Sequence, residues 1–232
     1  MKISTLLLPA IIAPFYFVAS AEDSVSFDMP SNVESNHRQL QGRRTINGRA
    51  RIRNIKARVF TMTNGFDDFV GNEVIMYFQD NKGELIPQGR FSTGGKGSGI
   101  SLGSQGSLVT NSRKDRLFVV NSGDNSLSVF NVEKYGLFLT DNVSTIGSDP
   151  TSVTTCDDFV YVLNSGDDGS IVGYEISRLG ELTLIPNSKR SVQAIPNGSA
   201  PPLILTAPGQ VSFTDDCKHL IVVNKDIANG LA

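Results

Sequence analysis

A short apolar strand ending in asparagine occurs four times along this chain, and that recurrence limits the fold more than any other feature. The four copies are Val59-Phe60-Thr61-Met62-Thr63-Asn64, Leu117-Phe118-Val119-Val120-Asn121, Val160-Tyr161-Val162-Leu163-Asn164 and Leu220-Ile221-Val222-Val223-Asn224. After the first three comes a turn of glycine and aspartate, then a second strand: Val74 to Phe78, Ser126 to Val132 and Ser170 to Ile176. A glycine-bearing turn (Lys82-Gly83-Glu84, Tyr135-Gly136-Leu137, Leu179-Gly180-Glu181) leads to a further strand. Three asparagine strands are also preceded by a strand and a polar turn, at Ser107 to Thr110, Thr151 to Thr155 and Gln210 to Thr214. The runs are short, rich in Val, Ile, Phe and Tyr, and lack a helical period. The asparagines are 57, 43 and 60 residues apart, which brackets the roughly 45 residues of a four-stranded antiparallel unit. Loops at 94–106 and 187–206 absorb the two long spacings. A β-sandwich would accommodate the strands but gives no reason for the self-similarity. The chain therefore reads as all-β, a β-propeller of four-stranded antiparallel blades, with a partial ring of between three and four blades in residues 57–232.

Residues 1–21 read as a signal peptide. Lys2 supplies the charge, Leu6 to Val18 the apolar run, and Ala19-Ser20-Ala21 the small-x-small cleavage pattern, with a mature start near Glu22. Pro9 and Pro14 interrupt the run and it is too short to span a bilayer. Residues 22–56 read as a basic, disordered linker. Between Arg38 and Arg58 stand eight cations (Arg38, Arg43, Arg44, Arg49, Arg51, Arg53, Lys56, Arg58) and no acidic residue. A solvated lead-in accounts for this, with a polyanion-binding arm or a processing site at Arg43-Arg44 as the alternative.

The expected address is extracellular, which permits disulfides and glycans. Sequons occur at Asn142 and Asn197. Cys156 and Cys217 fall in equivalent turns of neighbouring blades. Such points usually stand beyond the roughly 7 Å Cα separation a disulfide tolerates, so two free thiols are expected. A net charge of -2 gives no ground for a nucleic-acid partner.

Several runs resemble one known family. Thr93-Gly94-Gly95-Lys96-Gly97-Ser98-Gly99 through Gly103-Ser104-Gln105-Gly106-Ser107-Leu108 looks like the first-blade exit of secreted lactonase-type seven-bladed propellers, called 6-phosphogluconolactonase-like or 3-carboxymuconate cyclase-like. Asn121 to Phe130, Val160 to Asn164, Ile185 to Ser188 and Pro208 to Phe213 extend the likeness over residues 57–228. It implies a lactone hydrolase or cycloisomerase acting on a sugar lactone or related carboxylic acid, without metal or cofactor, and a monomer when complete. The alternative is a non-catalytic extracellular binding or scaffold propeller for a carbohydrate or a protein. By the same resemblance the distal end of a whole chain completes the first blade, so the chain is expected to be truncated and, by itself, prone to aggregation and inactive on lactones.

Lactone hydrolysis needs a base for water and a cation or donor for the carbonyl oxygen. In this fold the loops after the asparagine strands share the channel face with the blade crossings. Ligand-binding candidates there are Asn64, Lys96, Asn121, Asp124, Asn164, Asp167 and Lys225, with Asp67, Asp68 and Asn125 beside them. Asn, Asp and Gly at such places also serve simply as turn formers. No catalytic residue is assigned. The two histidines are His37, in the linker, and His219, in a turn of the opposite face; where active relatives carry histidine after a blade-opening proline, this chain has Thr151 and Gly209. The glycine-rich stretch 94–106 has neither GxxxxGK[ST] nor GxGxxG spacing and no helix follows, so it reads as a long blade connection. Asn164 to Glu175 imitates a calcium loop through Asn164, Asp168, Gly169, Ile171 and Glu175, but Gly166 fills a ligand position and strands flank it; no metal is expected.

Overall fold

The computed structural model describes residues 55–167, 169–192 and 207–225. The signal-peptide and linker residues up to 54, the Asn197 sequon and Asp168 lie outside them. The first repeat is a three-stranded antiparallel sheet, β1 (Ala57–Met62), β2 (Glu73–Gln79) and β3 (Leu85–Ser92), in that order. The second has four strands in chain order: β4 (Leu108–Thr110), β5 (Arg116–Asn121), β6 (Ser126–Glu133) and β7 (Gly136–Ser144). The third runs β8 (Pro150–Cys156), β9 (Phe159–Asn164), β10 (Ser170–Ile176) and β11 (Leu182–Leu184), and a short β12 (Arg190–Ser191) adds to β10. The fourth is a pair, β13 (Pro208–Phe213) and β14 (Leu220–Asn224). A meander repeated without helices is the propeller plan. The all-β reading holds, and the described residues form a partial propeller.

Burial patterns explain why these strands read as they do. In β5, Leu117 and Val119 pack toward the first sheet, with Val74 and Phe130, while Phe118 and Val120 pack toward the third, with Val153, Val160, Val162 and Val172. A strand covered on both faces needs consecutive apolar residues. In β2 only Val74, Met76 and Phe78 are buried, and the residues between them are half-exposed. One covered face gives alternation. β14 likewise leaves Ile221 and Val223 exposed. The core is thus the two seams between sheets one, two and three. Each fully buried Val, Leu or Phe contributes about 1.5–3 kcal/mol, and Phe118→Ala, which removes a ring of zero exposure, would cost about 3–5 kcal/mol.

The third and fourth sheets are joined directly by their inner strands. Val211 N donates to Ser152 Oγ at 3.2 Å, and Phe213 N to Thr154 Oγ1 at 3.2 Å; the rings of Tyr161 and Phe213 meet edge to face at 5.6 Å. This approach corrects the expectation of free thiols. Cys156, ending β8, and Cys217, in the β13–β14 turn, form a disulfide with a Cα separation of 5.9 Å. Inner strands converge toward the propeller axis, so equivalent turns on neighbouring blades come within bonding reach.

Candidate functional site

The loops that follow the asparagine strands, together with the crossings between sheets, form one face. Backbone bonds knit them in the same way twice. Gly123 N donates to Lys96 O at 2.9 Å, and Gly166 N to Ser148 O at 3.0 Å. Both come from the repeated Asn-Ser-Gly-Asp of residues 121–124 and 164–167.

The asparagines hold this face together from inside. Asn121 is fully buried; its Nδ2 donates to Ser126 Oγ (2.9 Å) and Ser128 Oγ (2.7 Å), and its Oδ1 accepts from Asn72 Nδ2 (2.9 Å). Asn164 is equally buried, its Nδ2 reaching Thr145 O and Ser170 Oγ. Asn64 sits at φ 52° and spends its amide on Ser98 and Ile100. Burial takes Asn121 and Asn164 out of reach of a ligand, and all three act as clamps. The reason is that Asn121 and Asn164 are the last residues of buried strands, so their amides satisfy buried groups instead of facing the channel, while Asn64 stands in the loop after β1 and ties it to the glycine-rich crossing.

The charged candidates remain on the surface of the face. Lys96 Nζ pairs with Asp68, and that carboxylate's hydrogen bond and charge raise the Lys96 pKa above the usual lysine value. Asp124 accepts from Lys96 N (3.1 Å) and Ser126 Oγ (2.8 Å); Asp167 accepts from Ser148 Oγ (2.8 Å). Asp67 caps a tight turn, and the Val70 N–H, with that of Phe69, holds its carboxyl below the ordinary aspartate range. The structure therefore gathers Lys96, Asp68 and Asp124 into one cluster and sets Asp167 one blade further on.

Lys225 belongs to a different part of the face. The glycine-rich crossing runs across the inner ends of three sheets: Ser107 O accepts from Val120 N, Gly106 O from Val153 N, and Gln105 N donates to Gly209 O. Lys225 Nζ donates to Gly103 O on this crossing, and burial lowers its pKa. Gly106, Thr151 and Gly209 occupy equivalent inner positions. Thr151 Oγ1 is buried without a hydrogen-bond partner in the described residues, and a Cβ on Gly209 would stand 3.1 Å from Lys225 Cε. His219 is in the β13–β14 turn at the far end of the strands, its N–H on Thr214 Oγ1. Two clefts among the described residues, of about 350 and 470 Å³, also open away from the candidate face. Cys156, Asp157 and Cys217 offer ligand atoms within 4.8 Å of one another, but the disulfide occupies both sulfurs.

The clamp missed in the sequence is Thr93-Gly94-Gly95 and its counterpart Thr145-Ile146-Gly147. Each threonine hydroxyl reaches back to the residue just before the second strand of its own sheet, on Asn72 O (2.9 Å) and Asn125 O (3.0 Å). Gly94 and Ile146 share a left-handed backbone, φ 75° and 57°. For the β-branched Ile146 that conformation is an outlier. A repeated Thr-x-Gly after the fourth strand was the available signal.

No protein-family model matches the chain, and no curated protein matches it significantly. Solved structures match its fold. A Bacteroides fragilis protein described as a candidate 6-phosphogluconolactonase is 20% identical with a TM-score of 0.53, over 73% of this chain and 46% of that one. A Desulfotomaculum acetoxidans protein described as functionally unknown is 18% identical with a TM-score of 0.49, over 71% and 53%. The periplasmic gluconolactonase of Pseudomonas aeruginosa is 17% identical with a TM-score of 0.45, over 67% and 38%. The chain thus spans about half the length of the first two. Its fold is similar to that of the Bacteroides fragilis protein over the part matched. Among the described residues no helix is long and apolar enough to cross a membrane.

Proposed function

We propose that this chain builds part of an exported lactonase-type propeller whose ligand is a sugar lactone or a related carboxylic acid. The observation that carries the reading is the fold likeness to the Bacteroides fragilis protein over 73% of the chain. The charged cluster supports it. Lys96, kept protonated by Asp68, offers a fixed cation for a carboxylate or a carbonyl oxygen that gains charge when water attacks. Lys225, whose burial favours the neutral amine, tends in the direction a base requires. The Cys156–Cys217 disulfide supports export, since such bonds persist in oxidising compartments. In the same reading, residues 1–21 are removed on export and residues 22–56 form the connection to the propeller.

A binding propeller without catalysis is the second reading. Its support is specific: Thr151 and Gly209 stand at the positions where the resemblance implies histidine. Proton release from glucono-δ-lactone, followed by pH-stat, separates the two. Turnover above the spontaneous rate that falls at least about tenfold in Lys96→Met, the loss of one electrostatic contact in the transition state, supports hydrolysis. Calorimetric binding of gluconate without turnover supports the binding reading. Neither binding nor turnover overturns both.

A further inference from the structure

The groove between the first and second sheets, at the strand ends away from the candidate face, is lined by cations with no acid among its described residues. Lys56, Arg58 and Lys134 surround a floor of Ile55, Phe78 and Val132, enclosing about 470 Å³. Arg58 is fixed there, since its Nη1 donates to Glu133 O at 2.9 Å. Lys134 Nζ lies 5.0 Å from the centre of the Tyr135 ring, and Tyr135 meets Phe78 edge to face at 6.2 Å. Tyr135 is 63% exposed. The eight-cation tract of residues 38–58 ends in this groove with Lys56 and Arg58.

Cations beside the exposed Tyr135 ring, whose edge-to-face partner Phe78 is buried, match two features of one ligand class. Carboxylates or sulfates pair with the ammonium and guanidinium groups, and sugar rings pack on aromatic side chains. We propose that this groove binds an acidic polysaccharide, carboxylated or sulfated. The partner class follows from the surroundings. The disulfide fits an oxidising compartment. The site is distinct from the lactone reading, being at the other end of the strands.

Calorimetry on the full chain tests it, with polygalacturonate and dextran sulfate as probes and neutral dextran and single-stranded DNA beside them. At least one anionic polysaccharide is expected to bind, more weakly as salt rises, and neutral dextran is not. Lys56→Gln with Lys134→Gln leaves the Arg58 bond intact and should loosen binding about five- to tenfold. Exposed Lys134→Gln alone serves should the double variant misfold. Arg43→Gln with Arg44→Gln is the control and should bind within about twofold of the native chain. No binding of either polymer, undiminished binding by the groove variants, binding abolished only in the Arg43 and Arg44 variant, or tighter binding of DNA each overturns the proposal.

Discussion

Asn72 donates from Nδ2 to Oδ1 of Asn121 across 2.9 Å, and both residues have zero exposure in the seam between the first and second sheets. The next seam lacks the bond. At the place of Asn72 stands Asn125, whose Oδ1 instead accepts from Asp149 N at 2.8 Å. Asn164 Oδ1 is left buried without a hydrogen-bond partner in the described residues. One repeat therefore closes its polar network and its neighbour does not.

That difference predicts unequal responses to truncation. Asn72→Ala strands the Asn121 oxygen, also removes the bonds to Val120 O and from Asn64 N, and should lower unfolding free energy by about 1–3 kcal/mol. Asn164→Ala removes an oxygen that already lacks a partner and two long bonds of 3.5 and 3.4 Å, so it should cost less. Urea denaturation of the two variants checks the order. Equal losses would show that the Asn72–Asn121 bond carries no special weight.

The disulfide closes a separation of 61 residues. In the chain-entropy account such a loop contributes about 4 kcal/mol. Cys156→Ser is expected to lower stability by about that amount, and reductant should do the same to the native chain while leaving Cys156→Ser with Cys217→Ser unaffected. Thiol titration of the unfolded, unreduced chain should find no reactive sulfur. A full complement of two thiols would restore the free-cysteine expectation.

The central strands were readable because their apolar runs are set by burial on both faces: Leu117 to Asn121 and Val160 to Asn164 differ from β5 and β9 by one residue at the start. The short β12 was not, as it joins β10 by a backbone pairing of only two residues, Arg190 and Ser191. The disulfide was hidden because the convergence of inner strands is a property of the ring and not of any segment. At the candidate face, residue types located the loops but not the direction of their amides. Asn121 and Asn164 have the chemistry of ligand contacts, yet their place at the end of a buried strand makes them clamps. Lys96 beside Asp68 depends on a crossing 28 residues away in sequence, a contact no local pattern encodes.

The clamps explain two glycines. A Cβ on Gly95 would stand 2.5 Å from Asn121 Nδ2, and one on Gly147 2.5 Å from Asn164 Cγ. Gly95→Ala and Gly147→Ala should each destabilise by about 1–3 kcal/mol, as overpacked sites do. At Gly136 the nearest atom is Phe91 Cε1 at an ordinary 3.4 Å, and alanine there should change stability by less than about 0.5 kcal/mol. Thermal melts of the three variants decide; a neutral Gly95→Ala would mean that the asparagine moves aside freely.

Alkaline pH should weaken the seam between the second and third sheets through Tyr174. Its side chain is 2% exposed, its hydroxyl donates to Ser144 O at 2.6 Å, and burial pushes its pKa from 10.0 up to about 12. Below pH 10 the phenol is neutral in the folded and the unfolded chain, so its contribution is fully present. Between pH 10 and about 12 the unfolded chain gives up this proton and the folded chain keeps it. The unfolded state then binds fewer protons, and stability falls as pH rises. Tyr174→Phe keeps the ring packed and removes the ionising group, so its stability should decline less steeply through that window, although it starts lower for want of one hydrogen bond. Urea midpoints of both proteins, measured in steps across the window, provide the comparison. Parallel declines would place the alkaline sensitivity elsewhere and sink the assignment to Tyr174.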